Sequence, residues 1–228
     1  MSLFFGILAG LLMLSACAGA LYWLLAPERF PVSEVVLKGN LKHTTAAEIE
    51  AALPRASGNF FAVDLANARA GVERLPWARR VAVRRVWPNR LEVWVEEHIA
   101  LARWGDDALV NTHGERFVAK TKEPLPAFIA PGGTSAEVTR RYRRFAEIVA
   151  PLGTGVERVV LTPRHAWQLR LGNGLHLMLG RDADLAEERL RKFVAAHPAT
   201  LARAGKKHEY VDLRYPNGFA LRVPDWNG

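Results

Sequence analysis

Seven histidines, two close pairs of aspartates and two clusters of arginine are the side chains best able to do chemistry in this 228-residue chain. The histidines are His43, His98, His113, His165, His176, His197 and His208. No two stand at the spacing that zinc ligands require, and the one cysteine, Cys17, lies within an apolar run. Asp106-Asp107 reads as a turn, and Asp182-x-Asp184 as a helix cap rather than an acid–base pair. Phosphate-cradling glycine loops, nucleophile elbows and paired-histidine metal motifs do not occur. The reading is therefore of a protein that is not an enzyme, with no metal, no cofactor and no small-molecule substrate.

The arginines are more informative. Arg79, Arg80, Arg84, Arg85 and Arg90 concentrate on one predicted hairpin, and Arg140, Arg141, Arg143 and Arg144 on one predicted helix. The formal net charge is +8 at pH 7. Such a surface attracts lipid headgroups, nucleic acid or acidic protein faces. No helix-turn-helix, zinc finger or base-stacking motif accompanies it, so nucleic acid is not expected. Arg80, Arg84 and Arg85 form a candidate docking face. The helix arginines read better as a solvated face whose aliphatic stems cover apolar surface.

These side chains need elements to place them. Leu3 to Ala26 carries no charge, and a helix of that length reaches about 36 Å, enough to cross a hydrocarbon core of about 30 Å. Tyr22 and Trp23 fall where aromatic rings favour the membrane–water interface, and Pro27 ends the helix. A cleaved signal fits less well, because the apolar run continues past any small-residue cleavage site. Leu14-Ser15-Ala16-Cys17 resembles a lipidation box, but an apolar stretch follows it rather than a polar tether. Lysines and arginines near the span leave its orientation open. Gly6 and Gly10 form a small-xxx-small pair that could let two such helices approach.

The body then divides in two, giving three segments: 1–27 the anchor, 30–97 a first domain and 98–228 a second. In the first, a short strand runs to Gly39-Asn40, and Thr44 or Thr45 caps a helix with Glu48 positioned for a capping box. Asp64 caps a second helix that ends at Pro76. A hairpin follows, in which Val81 and Val83, then Leu91, Val93 and Val95, alternate with polar residues across Trp87-Pro88-Asn89. The second domain reads as short strands at Ile99–Trp104, Ala108–Asn111, around Phe117, Val156–Leu161, Trp167–Leu171, Leu175–Leu179, His208–Tyr215 and Phe219–Val223. Helices are expected at Ser135–Ala150 and from Asp182 or Asp184 to Pro198, with a loop around Pro124 and Pro126. The fold class is α+β: a transmembrane helix, a β-α-α-β-β domain, then a mixed, mainly antiparallel β domain with two helices.

The order strand-helix-helix-strand-strand, with Val35-Val36-Leu37-Lys38-Gly39-Asn40, Leu75-Pro76-Trp77 and Arg84-Arg85-Val86-Trp87-Pro88-Asn89-Arg90-Leu91, resembles a POTRA domain. One such domain behind a single membrane helix is similar to the FtsQ/DivIB family of bacterial cell-division proteins. Trp167-Gln168-Leu169, Leu179-Gly180-Arg181 and Tyr210-Val211-Asp212-Leu213-Arg214-Tyr215 with Gly218 resemble that family's second domain. The charged segment that the family places ahead of its membrane helix has no counterpart before Leu3.

The resemblance implies a type II inner-membrane protein with its body in the periplasm, concentrated at the division septum. It implies a scaffold linking early and late division proteins by binding FtsB and FtsL, with FtsK, FtsW, FtsI and FtsN as further candidates. A POTRA-bearing secretion or translocation component is the alternative, and it would normally carry several such repeats. In the chain itself, Phe219–Val223 has no later strand to pair with, so as a sheet edge it could accept a partner's strand. Tyr215 and Phe219 would be its aromatic anchors, Arg214 would meet an acidic partner residue, and Asn217, Gly218, Leu221 and Val223 complete the expected site. The family's contact region ahead of the Trp167 strand falls on Arg164 and His165.

Overall fold

The computed structural model describes residues 2–26, 29–53, 59–200, 210–215 and 218–222. The uncharged run forms α1, Ser2–Leu25, in which Phe4–Leu24 is long and apolar enough to cross a membrane and none of which is buried by the rest of the chain. It fits a transmembrane helix, because only a lipid environment removes so complete an apolar surface from water.

The chain forms two compact units, Met1–His98 and Ile99–Gly228. In the first, β1 (Glu34–Lys38), α2 (Ala46–Ala52), α3 (Leu65–Glu73), β2 (Ala78–Val86) and β3 (Arg90–Glu97) follow in the expected order. The sheet runs β1-β3-β2, with β1 parallel to β3 and β2 antiparallel to it. Thr45 is the cap of α2: its hydroxyl accepts from the Glu48 N–H, and the Glu48 carboxylate accepts from the Thr45 N–H. Asp64 caps α3 by accepting from the Ala66 and Asn67 N–H groups. The alternation read from the hairpin places Val81, Leu91, Val93 and Val95 in buried positions, and Val81, Val93 and Val95 form one core with Ile49, Ala68 and Val72. Gly39 is required at its position. Its φ is +131°, and a Cβ there would lie 2.1 Å from the Val95 carbonyl oxygen.

The second unit is a nine-stranded sheet with two helices. Its strands are β4 (Ala100–Trp104), β5 (Ala108–Asn111), β6 (Arg116–Phe117), β7 (Ala127–Ile129), β8 (Val156–Leu161), β9 (Trp167–Leu171), β10 (His176–Gly180), β11 (Tyr210–Asp212) and β12 (Ala220–Arg222). The order is β12-β11-β10-β9-β8-β7-β4-β5-β6. Most neighbours are antiparallel. The exceptions are the parallel pairs β10 with β11, β7 with β8 and β4 with β7. Helices α4 (Ser135–Val149) and α5 (Ala183–Thr200) pack against the sheet and each other. Phe145 of α4 and Phe193 of α5 are fully buried with Phe128, Trp167, Leu169 and Leu177 of the strands.

Two elements differ from the sequence reading. The stretch after Pro126 is a strand, β7, in the interior of the sheet; three residues are too few to show a period, and the flanking prolines resemble a loop. Helix α5 continues past Pro198 to Thr200. A proline this close to a helix end removes one backbone donor and leaves the rest of the ladder intact.

Candidate functional site: the last sheet edge and its basic groove

Strand β12 is the terminal strand of the sheet order, paired antiparallel with β11 through Tyr210↔Arg222, Val211↔Leu221 and Asp212↔Ala220. Among the described residues its other edge has no neighbouring strand, so its backbone groups on that side can pair with an extended chain. Leu221 is 39% exposed on this strand, and Tyr215, in the turn between β11 and β12, is 56% exposed.

A groove of about 700 Å³ lies at the strand ends of the same sheet, lined by Thr162, Arg164, Gly180, Arg181, Arg189 and Arg214 among others. The turn from β8 to β9 supplies its first wall. There the Thr162 N–H donates to the Ala166 carbonyl at 3.0 Å and the His165 N–H to the Thr162 carbonyl at 2.8 Å. His165 takes a left-handed backbone, φ +58°, which tightens the turn and leaves Arg164 and His165 exposed. Gly180, at φ +95°, ends β10, and a Cβ there would stand 3.0 Å from an Arg189 guanidinium nitrogen and 3.5 Å from the Arg214 side chain. A bare backbone at this point lets two arginines crowd the groove floor.

The cations are held in different ways. Arg189 donates to the Leu179 carbonyl at 2.9 Å. Arg214 pairs with the buried Asp212, Nη2 to Oδ2 at 2.6 Å, and its Nε lies 2.9 Å from Oδ1. That guanidinium holds the Asp212 carboxyl below the ordinary aspartate range, and the carboxylate raises Arg214 in return. Four guanidinium groups thus line the groove, and the buried Asp212 carboxylate, which is not among its lining residues, is already engaged by Arg214. The result is an electropositive cleft suited to an acidic ligand.

A second groove of about 440 Å³ shares Arg189 and is lined further by Lys192, Phe193, Leu213, Tyr215, Gly218 and Phe219. The tertiary structure therefore gathers Arg164 with Arg214 in one groove, and Tyr215, Gly218 and Phe219 in the next. Asn217 and Val223 lie outside the described residues. Phe219 is less free than expected of an anchor: it is partly buried and meets Phe193 edge to face, with ring centroids 5.6 Å apart. Arg214 likewise has an intramolecular partner. Arg181 and Arg189 were not singled out as site residues by sequence. Arg181 follows Gly180 in the strand-to-helix turn and Arg189 lies within α5, and nothing local to them signals that Arg164 shares their groove.

The first unit's arginines have separate roles. Arg84 pairs with Glu92 at 2.7 Å, and Arg85 donates to the carbonyls of Phe60, Phe61 and Val63. Arg80 is exposed on β2. On α4, Arg141 binds Glu187 and Asp184 of α5 at 2.7 and 2.8 Å, and Arg143 donates to the Thr112 carbonyl, so these two brace the fold. Gly6 and Gly10 sit on α1 with nothing within 4 Å of either added Cβ.

Two family models match the chain: "POTRA domain, FtsQ-type" over residues 30–98 and "Cell division protein FtsQ/DivIB, C-terminal" over residues 102–214. Curated relatives named "Cell division protein FtsQ" cover most of its length. That of Burkholderia pseudomallei is 44% identical over 222 residues, 95% of this chain and 89% of the relative. That of Nitrosospira multiformis is 43% identical over 206 residues, 88% and 86% respectively. That of Neisseria gonorrhoeae is 38% identical over 216 residues, 93% and 88%.

Proposed function

This chain belongs to the FtsQ/DivIB family of cell-division proteins, and from that premise we propose that it is a non-enzymatic divisome scaffold whose second domain binds FtsB and FtsL. The boundaries proposed are an anchor at 1–27, a POTRA domain at 30–97 and the binding domain at 98–228. Helix α1 anchors the protein in the inner membrane with type II topology, and the body works in the periplasm at the septum. FtsK, FtsW, FtsI and FtsN are candidate further contacts.

The observation that supports this most directly is the terminal strand β12, in a sheet whose strand ends carry a groove lined by Arg164, Arg181, Arg189 and Arg214. An extended partner segment would add a strand along β12, with main-chain hydrogen bonds for affinity. Its acidic side chains would enter the groove, and Tyr215 would close over it at the exposed turn. The partner-binding residues proposed are Arg164, His165, Arg214, Tyr215, Asn217, Gly218, Phe219, Leu221 and Val223. The secretion alternative draws no support from the relatives described above, which are named as cell-division proteins.

The test is binding of the full chain, in detergent, to the periplasmic part of FtsB. Tyr215→Ala and Leu221→Asp should each weaken capture, and amide exchange over 219–222 should slow in the complex. Undiminished capture by both variants, with unchanged exchange, would move the interface elsewhere. Phe219→Asp is a poor probe, because its contact with Phe193 ties loss of binding to loss of packing.

A further inference from the structure

The end of the first unit nearest the membrane helix carries aromatic residues that the packing leaves in the open. The Asn59 side-chain amide donates to the carbonyls of Leu24 and Ala26 at 2.6 and 2.8 Å, so a loop of the POTRA domain satisfies two orphan acceptors at the C-terminus of α1. The Phe60 N–H donates to the Phe30 carbonyl at 2.6 Å, and Pro31 bridges to Asn59. Rings continue the joint: Trp23 meets Phe30 at 6.2 Å and Phe30 meets Phe61 at 5.4 Å, both edge to face, while the Arg29 guanidinium lies 5.1 Å from the Trp23 ring centroid.

The β2–β3 turn is at this same end. Strands β1 and β3 are parallel, so they begin together, with Glu34 opposite Arg90. The Ser33 N–H donates to the Asn89 carbonyl at 2.9 Å, and the Asn89 amide to the Ser33 hydroxyl at 2.9 Å. Ser33 is three residues past Phe30, so at most about 10 Å of chain separates the ring joint from the hairpin tip. Trp87 stands on that tip at 79% exposure, and Phe61 is 41% exposed. Arg85 binds the carbonyls of Phe60, Phe61 and Val63, which fixes the hairpin to the loop and keeps its own charge uncompensated by any carboxylate hydrogen bond among the described residues.

We propose that Trp87 and Phe61, with Arg29 and Arg85, seat this end of the POTRA domain in the headgroup layer of the bilayer that α1 spans. A tryptophan in water at this height has no packing role, whereas the interface accommodates both its apolar ring and its N–H. Continuity with the membrane helix chooses lipid over a protein partner, since Asn59 ties the loop to the residues where the span ends. The inference rests on α1 crossing the membrane and is independent of what binds at β12.

The test uses the full chain in phosphatidylcholine–phosphatidylglycerol nanodiscs containing bromolipid, in a Trp23→Phe background. Trp87→Phe should remove most of the remaining lipid quenching of tryptophan emission. Trp94→Phe, at a half-exposed site within β3, should leave it in place. Phe61→Asp should reduce quenching of Trp87 while circular dichroism is unchanged. If Trp87→Phe quenches as its parent does, the tip stays in water, free for a protein contact, and the proposal fails.

Discussion

Glu97 shows how one side chain can hold a domain's entry loop. Its carboxylate accepts from the N–H groups of Lys42, His43 and Thr44, at 2.8, 3.1 and 2.7 Å. Burial alone would raise its pKa, but those backbone donors and the Thr44 hydroxyl outweigh it and hold the group below the ordinary glutamate range. His43 stacks on Trp77 at 3.7 Å in the same loop. Because the folded value is depressed, the stabilisation is complete above the unfolded value of about 4.3 and is lost as pH falls through the folded one. Glu97→Gln should therefore destabilise the first unit by about 1–3 kcal/mol at pH 7. Urea titrations from pH 7 to pH 3 should show that difference shrinking on the acid side, and a constant difference would mean the carboxylate's charge is not what the loop uses.

Among the elements, β7 has the least sequence signal and one of the more central positions. Between β4 and β8 it joins the two halves of the second sheet with parallel pairings on both sides. Phe128, fully buried, meets the Tyr142 ring of α4 at 5.0 Å, so this short strand also seats a helix. Phe128→Ala should cost about 3–5 kcal/mol, with thermal unfolding of the second unit reporting the loss. A cost under about 1 kcal/mol would show that the sheet closes without this strand's packing. By contrast, the hairpin β2–β3 was legible residue by residue, because Leu91, Val93 and Val95 point one way and their neighbours the other over eight positions. Long alternation survives tertiary context; three residues between prolines cannot display it.

For the molecule as a whole, the net charge of +8 acts through where it gathers. Arg164 and Arg181 are exposed on the groove wall and, among the described residues, lack the intramolecular bonds that hold Arg189 and Arg214. Reversing both, Arg164→Glu with Arg181→Glu, should weaken capture of an acidic partner segment by about tenfold or more at 0.15 M salt, where the Debye length is about 8 Å. The wild-type affinity should fall steeply between low and high salt, and the double variant should lose most of that dependence. Salt-independent binding in both proteins would assign the affinity to the strand edge alone.

The sequence by itself determined the apolar helix, the capping box at α2 (with Thr44 or Thr45 as its cap) and the Asp64 cap of α3, the POTRA order and the family. Each of these rests on signals within a few residues: an uncharged run, a Thr-x-x-Glu box, an alternating strand, a turn pair. Tertiary structure alone decided that β7 lies inside the sheet, that Phe219 packs on Phe193, and that Arg164, Arg181 and Arg189 face one groove. Those outcomes depend on strand register and parallel crossovers between residues far apart in the chain. Local propensity does not encode them; burial of the shared core selects them.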